Sequence, residues 1–175
     1  LWKWCLEGVR LTTLPCVDPH MFESVCITKV LGVMFDVLLD DPADQSGPAD
    51  YLEQLLKIPW SESPPDFSAF SEDQQSYAGT TCRVWGAIAE RVRNYAGFDK
   101  FRDLWRYDYL QLLNAMRYSH LLNGHPQMTN MTEHDLYLPH NMHMMVSGTV
   151  DLMCSSGFDH SELGRVREAV WHAQY

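Results

Sequence analysis

The stretch Cys26-Ile-Thr-Lys-Val-Leu-Gly-Val-Met-Phe-Asp-Val-Leu-Leu-Asp40-Asp41-Pro-Ala-Asp44 joins a long apolar run to a group of aspartates. Residues 30–39 are apolar nearly all round a helical projection, which is typical of a helix inside a bundle. Asp36, Asp40 and Asp44 are spaced four apart and therefore fall along one face, here named the acidic stripe. The stretch predicts a central helix that carries this stripe at its C-terminal end.

The C-terminus of a helix is an unfavourable place for negative charge. Each aspartate there costs roughly 0.3–1 kcal/mol against the helix dipole unless a positive charge lies nearby. Mg²⁺ prefers carboxylate oxygens and is typically held by one or two side chains together with the phosphates of a substrate. We therefore interpret Asp40, Asp41 and Asp44, a DDxxD pattern, as one half of a magnesium diphosphate site. The alternative is an acidic turn in solvent, in which Asp50 caps the next helix.

Helical patterns follow one another along the rest of the chain without alternating strand patterns or repeats. This order predicts an all-α helical bundle. Asp18 followed by a proline predicts the start of the aspartate-bearing helix, and Pro42 predicts that this helix kinks or ends inside the motif. Ser71 and Gln74 form a capping-box pattern. Further helices are predicted over residues 99–123, from 132 to a break at Pro139, over 141–153 and from about 159.

Composition limits the classes of partner. The chain has 175 residues, 46% of them hydrophobic, and a formal net charge of −10. No basic stripe is present to follow a phosphate backbone, so we expect no nucleic-acid partner. The longest apolar run is too short to span a bilayer. Five scattered cysteines without a CxxC pair fit reduced thiols in a cytoplasmic protein.

The DDxxD stretch resembles the aspartate-rich motif of class I terpene synthases, which belong to the all-helical isoprenoid synthase superfamily. The segment 29–45, the later Met116-Arg-Tyr-Ser-His120 stretch and the predicted helix 137–153 follow in the order expected of such a domain. The resemblance implies a bundle of the isoprenoid synthase type, in which Asp40, Asp41 and Asp44 bind Mg²⁺. It also implies a lyase activity that ionises a prenyl diphosphate and cyclises the resulting carbocation.

Two further residues are candidates for binding the diphosphate. Arg117 lies at the polar edge of a helix predicted to flank the acidic stripe, and a guanidinium matches phosphate oxygens in a bidentate fork. The alternative for Arg117 is a surface ion pair with Asp103 or Asp108. In the family that the chain resembles, an arginine at a helix break senses diphosphate, and this chain has Asn141 at that place. Asn141, His140 or the free amides of the broken helix are the candidates there.

Three other functions compete with this interpretation. A prenyl diphosphate synthase is less favoured, because such enzymes usually have paired arginines after the aspartates and Gln45-Ser-Gly-Pro-Ala follows here. A noncatalytic helical module would bind partner helices through apolar faces. A metal site of the helical phosphohydrolase type would use four loosely spaced residues. These are His120, His134, Asp135 and Asp151.

The second magnesium motif of the family, a series of Asn or Asp, Ser or Thr, and Glu, is not found in the sequence. Both ends of the chain have helix-like patterns without capping or stop signals. We therefore expect residues 1–175 to be a fragment of one terpene synthase-like domain, incomplete at both ends and inactive alone, with the second motif beyond Tyr175.

Overall fold

A computed structural model describes residues 2–44, 48–137, 140 and 143–173. Within these ranges the chain is all-helical and contains no strand, which confirms the predicted class. The α-helices are α1 (Trp2–Leu11), α2 (Phe22–Asp44), α3 (Ala49–Leu55), α4 (Glu72–Arg93), α5 (Phe98–Gly124), α6 (Met131–Tyr137), α7 (Met144–Met153) and α8 (Leu163–His172). All five cysteines are free thiols.

The α2 helix lies at the centre of the bundle, as its apolar sequence predicts. It contacts α1, α3, α4, α5 and α7, and its residues Phe35 and Leu39 are completely buried. Phe35 packs against Trp85 of α4 and Tyr109 of α5, with ring centroids 5.1 and 6.2 Å apart. Because the Phe35 side chain touches both helices, it fixes their positions relative to α2. The acidic stripe begins at the next residue, Asp36, and so extends directly from the packed core.

The start of α2 differs from the prediction. A 3-10 turn over Pro19–Met21 precedes the helix, and the side chain of Asp18 makes no capping hydrogen bond to it. Instead, the Asp18 carboxylate accepts hydrogen bonds from the backbone N–H and the hydroxyl of Ser156, at 3.1 and 3.0 Å. Asp18 therefore ties the start of α2 to the loop after α7, a long-range contact that the local sequence does not indicate.

The α2 helix continues through Pro42 to Asp44. Of the two outcomes predicted there, a kink or an end inside the motif, the end is wrong. A proline lacks the N–H that would reach the carbonyl four residues earlier, which here belongs to Leu38. The hydroxyl of Tyr77 on α4 donates to that Leu38 carbonyl at 3.1 Å. Tyr77 thus supplies the hydrogen bond that Pro42 cannot make, and the helix carries its aspartates one turn further.

We expect the Tyr77→Phe variant to lower the free energy of unfolding by about 1 kcal/mol, because it leaves the Leu38 carbonyl without a donor. In a Pro42→Ala background the N–H of residue 42 would reach the same carbonyl. Adding Tyr77→Phe to that background should then lower the free energy of unfolding by close to nothing. Urea denaturation of the two single variants and the double variant measures this coupling. Equal costs of Tyr77→Phe in both backgrounds would contradict the compensation.

Helix starts elsewhere show which local signals are reliable. Ser71 and Gln74 form the complete capping box that the sequence predicts at α4. The helix predicted from residue 132 begins one residue earlier, at Met131, and the Asn130 side chain accepts from the Thr132 N–H at 2.9 Å. The last predicted helix begins with a 3-10 turn in which the Asp159 carboxylate accepts from the Ser161 N–H.

The surface of α1 exposes large apolar side chains. Trp4 is 74% exposed and Leu11 is 87% exposed. Single exposed apolar residues are common on folded proteins, so these two define no partner. Of the helices that the structure describes, none is both long enough and apolar enough to cross a membrane.

Candidate functional site at the C-terminal end of α2

The acidic stripe runs from the bundle interior to the surface. Asp36 is only 13% exposed, whereas Asp40 and Asp44 are exposed. Partial burial raises the pKa of the Asp40 carboxyl, and the negative charges of Asp44, Asp36 and Asp41 raise it further. The predicted alignment of these aspartates is therefore present, and their carboxylates repel one another.

Asp41 points away from the stripe, into a different surface. It lines a cavity of about 330 Å³ between α2, α3 and α4, together with Tyr51, Asp73 and Tyr77. Burial raises the pKa of the Tyr77 hydroxyl to about 12, and the Asp41 charge contributes to this shift. The adjacent pair in the DDxxD pattern thus divides: Asp40 continues the stripe that begins at Asp36, and Asp41 faces α4.

Helix α5 covers the last carbonyls of α2. His120 Nδ1 lies 3.0 Å from the Ala43 carbonyl oxygen, and the Asn123 amide donates to the Ala43 and Asp44 carbonyls at 3.3 and 3.4 Å. These donors satisfy backbone oxygens that otherwise carry the negative end of the helix dipole. They reduce part of the electrostatic cost of placing aspartates there, and the sequence analysis did not identify them.

The carboxylates of the motif have no cationic partner in the described part of the chain. There, no Lys, Arg or His side chain lies within salt-bridge distance of Asp40, Asp41 or Asp44. The described His, Cys, Asp and Glu side chains also form no group of three or more that could hold a metal ion unaided. A cation at this site would therefore need further oxygen ligands from water or from a bound phosphate.

The phosphohydrolase-type site does not form. Asp151 is occupied by Lys29, whose ammonium lies 3.0 Å from its Oδ2, and the His120 ring contacts the end of α2. His134 Nδ1 lies 3.6 Å from Asp135 Oδ1, as a pair of neighbours on α6. The four residues therefore make contacts of other kinds, and the described residues form no group of this type that could hold a metal ion.

Arg117 forms an ion pair, but not with either expected partner. Its guanidinium donates to both carboxylate oxygens of Glu53 on α3, at 2.8 and 3.0 Å, and this hydrogen bonding lowers the pKa of Glu53. Asp103 pairs with Arg102, and Asp108 pairs with Arg167. A role for Arg117 in binding diphosphate stays a prediction. Asn141 and Pro139 lie outside the described residues.

The structure adds a residue that the sequence analysis missed, His143 at the start of α7. Its Nδ1 lies 2.6 Å from Asp36 Oδ2, and the imidazole is only 5% exposed. Burial raises the pKa of Asp36, and the charge of His143 opposes that shift. By hydrogen-bond geometry neither the other carboxylate oxygen, Oδ1, nor His143 Nδ1 has a partner among the described residues, so the contact is a close ion pair rather than an aligned hydrogen bond. A histidine after a proline gave no sequence signal for this contact, which depends on the packing of α7 against α2.

The site therefore combines exposed carboxylate oxygens at the end of a central helix with a buried histidine and aspartate one turn below them. The oxygens are suited to a hard divalent cation, and the buried pair connects them to the start of α7. Comparison of the chain with protein-family models, with curated proteins and with solved structures finds no match.

Proposed function

We propose that this chain is part of a Mg²⁺-dependent class I terpene synthase, which ionises a prenyl diphosphate and cyclises the carbocation that remains. The observation that supports it best is the environment of Asp40. This exposed carboxylate ends a central helix among three other carboxylates, and no described basic side chain forms an ion pair with it. Carboxylates crowded in this way repel one another, and a bound divalent cation would offset that repulsion.

The residues fit magnesium better than a softer metal. Asp40 and Asp44, with Asp41 assisting, offer hard carboxylate oxygens, and the phosphate oxygens of a substrate would complete the ligand set. Bound there, Mg²⁺ would neutralise charge on the diphosphate leaving group and lower the barrier to ionisation. Asp41 is the weakest candidate, because it lines the separate cavity toward α4.

Other groups of the chain would hold the substrate and exclude water. Arg117 could bind diphosphate oxygens in a bidentate fork after release from Glu53, and Asn141 is the proposed contact at the break before α7. Beside Asp36, the rings of Phe35 and Tyr109 are buried and pack edge to face. Buried aromatic rings of this kind would suit a carbocation, because they offer ring faces and would keep water from quenching the cation.

Asp40→Asn tests the proposal directly. We expect this variant to bind inorganic diphosphate in the presence of Mg²⁺ on the order of tenfold more weakly, or worse, because even supporting residues of metal sites contribute that much. Isothermal titration calorimetry of the 175-residue chain measures the affinity. Asp103→Asn is the matched control, since Asp103 is an exposed aspartate on α5 with a partner of its own, Arg102.

The outcomes separate the competing functions. Unchanged binding in Asp40→Asn, or no Mg²⁺-dependent binding by the native chain, would reject the synthase and favour the noncatalytic helical module. If the full-length protein turns over farnesyl diphosphate supplied together with isopentenyl diphosphate, a cyclic product supports the cyclase. Condensation of the two substrates, which releases diphosphate and gives a longer linear diphosphate, identifies a prenyl diphosphate synthase. We expect the 175 residues alone to bind without turnover, because they contain no second magnesium motif.

A further inference from the structure

We propose that His143 and Asp36 form a positioning pair for the diphosphate site, holding the start of α7 against the turn of α2 that precedes Asp40. The inference rests on the proposed function and assigns a role to a histidine that the DDxxD pattern does not include. Three independent features of the structure support it.

The first feature is the contact itself. His143 Nδ1 and Asp36 Oδ2 are 2.6 Å apart, and both side chains are largely removed from solvent. Asp36 precedes Asp40 by one helical turn on the same face, so a displacement of Asp36 moves Asp40 with it. His143 is the N-cap residue of α7, which places the positive end of that helix dipole beside the acidic stripe.

The second feature is the backbone of His143. Its φ angle is 57°, in the left-handed region, and no other non-glycine residue in the described ranges has a positive φ. A histidine holds this conformation only where its surroundings fix it. The contacts that fix it here are those with Asp36 and with the Tyr109 ring, which packs edge to face with the imidazole at a centroid distance of 5.8 Å.

The third feature is Gly32, which leaves room for the imidazole on α2. A Cβ atom at position 32 would lie 2.5 Å from His143 Nε2, closer than such contacts allow. Glycine is unfavourable in the middle of a helix. Its presence one turn before Asp36 therefore creates the space in which the ring reaches the carboxylate. Asp36 Oδ1 and His143 Nδ1 both lack a hydrogen-bond partner among the described residues. Unsatisfied buried groups are rare in folded proteins, and a functional role is one explanation for them.

His143→Gly separates a positioning role from a merely structural one. Glycine accepts the left-handed backbone, so this variant loses the imidazole without adding strain. We expect its affinity for inorganic diphosphate in the presence of Mg²⁺ to fall about tenfold, the effect typical of residues that orient metal ligands. His143→Asn should recover most of the affinity, because asparagine tolerates this backbone and places an N–H donor close to the position of Nδ1.

Two further variants complete the test, one as a control and one as a second way to displace the imidazole. Thr149→Val removes a buried hydrogen bond from α7 to Asp108, and we expect it to lower the thermal midpoint while leaving diphosphate affinity unchanged. Gly32→Ala adds a favourable helix former but displaces the imidazole, so it should weaken binding as His143→Gly does. Calorimetric titration gives the affinities, and thermal unfolding of the same samples gives the midpoints.

Native-like affinity in His143→Gly or in Gly32→Ala would overturn the positioning role, provided that Asp40→Asn has lost affinity. An affinity loss in Thr149→Val as large as that in His143→Gly would also overturn it, since general destabilisation would then explain both. If the native chain and Asp40→Asn are alike in showing no Mg²⁺-dependent binding, the proposed function fails and the positioning role fails with it.

Discussion

Replacing Lys29 with methionine is expected to lower the free energy of unfolding by about 3–5 kcal/mol, because it leaves a buried carboxylate without its counter-ion. Lys29 is 1% exposed and its partner Asp151 is completely buried. The ammonium also donates to the Thr12 carbonyl and the Thr13 hydroxyl, at 3.2 and 3.3 Å. Burial raises the pKa of Asp151, and the charge of Lys29 and the hydrogen bond from the Leu14 backbone N–H both oppose that shift.

The double variant Lys29→Met with Asp151→Leu is the control for this prediction. Exchanging both charges for apolar groups of similar size is often neutral, so we expect the pair of substitutions to recover most of the lost stability. Urea denaturation of the native chain, both single variants and the double variant gives the coupling energy. A loss below about 1 kcal/mol in Lys29→Met would mean that the pair behaves as an exposed one.

Gly97→Ala is expected to destabilise the chain by about 3 kcal/mol through overpacking. A Cβ atom at position 97 would lie 2.7 Å from the carbonyl oxygen of Met153 and 2.8 Å from its Cα. Both are backbone atoms, so no side-chain rotation can relieve the clash. The Gly97 N–H also donates to that carbonyl at 2.9 Å, and moving α5 away from the end of α7 would break this bond.

Gly86→Ala provides the opposite expectation with the same chemical change. Gly86 lies within α4, and nothing occupies the 4 Å around the added Cβ atom. Alanine is the better helix former, so this variant should be more stable by about 0.5–1 kcal/mol. Thermal and urea unfolding of the two variants side by side measures both. If Gly97→Ala and Gly86→Ala changed the stability equally and in the same direction, the close contact between position 97 and the Met153 backbone would not explain the effect of Gly97→Ala.

Local sequence signals predicted the helical class, the central position of α2 and the capping box of α4. Each depends on residues within a few positions of one another, where periodicity and capping chemistry apply. The prediction that the helix ends at Pro42 was wrong because it also used only neighbouring residues. A proline ends most helices, and the hydrogen bond that compensates here comes from Tyr77, which is 39 residues from its acceptor Leu38 in sequence. A local pattern contains no information about such a partner.

The candidate site was predictable only where it consists of one helix. The spacing of Asp36, Asp40 and Asp44 indicates a shared face, and their mutual repulsion in the structure agrees with it. The contact between Asp36 and His143 and the pairing of Arg117 with Glu53 join residues on different helices. Neither follows from residue spacing, because each depends on how helices pack after folding.

The separation of Lys29 and Asp151 also has a consequence for biosynthesis. The two residues are 122 positions apart, so the lysine emerges from the ribosome well before its counter-ion is translated. At typical elongation rates the delay is roughly 6 to 24 seconds, far longer than helix formation takes. During that interval a dry environment around the ammonium is unfavourable, and the nascent helices must leave it hydrated. The contact between Lys29 and Asp151, and the packing around it, can therefore form only after α7 has been made.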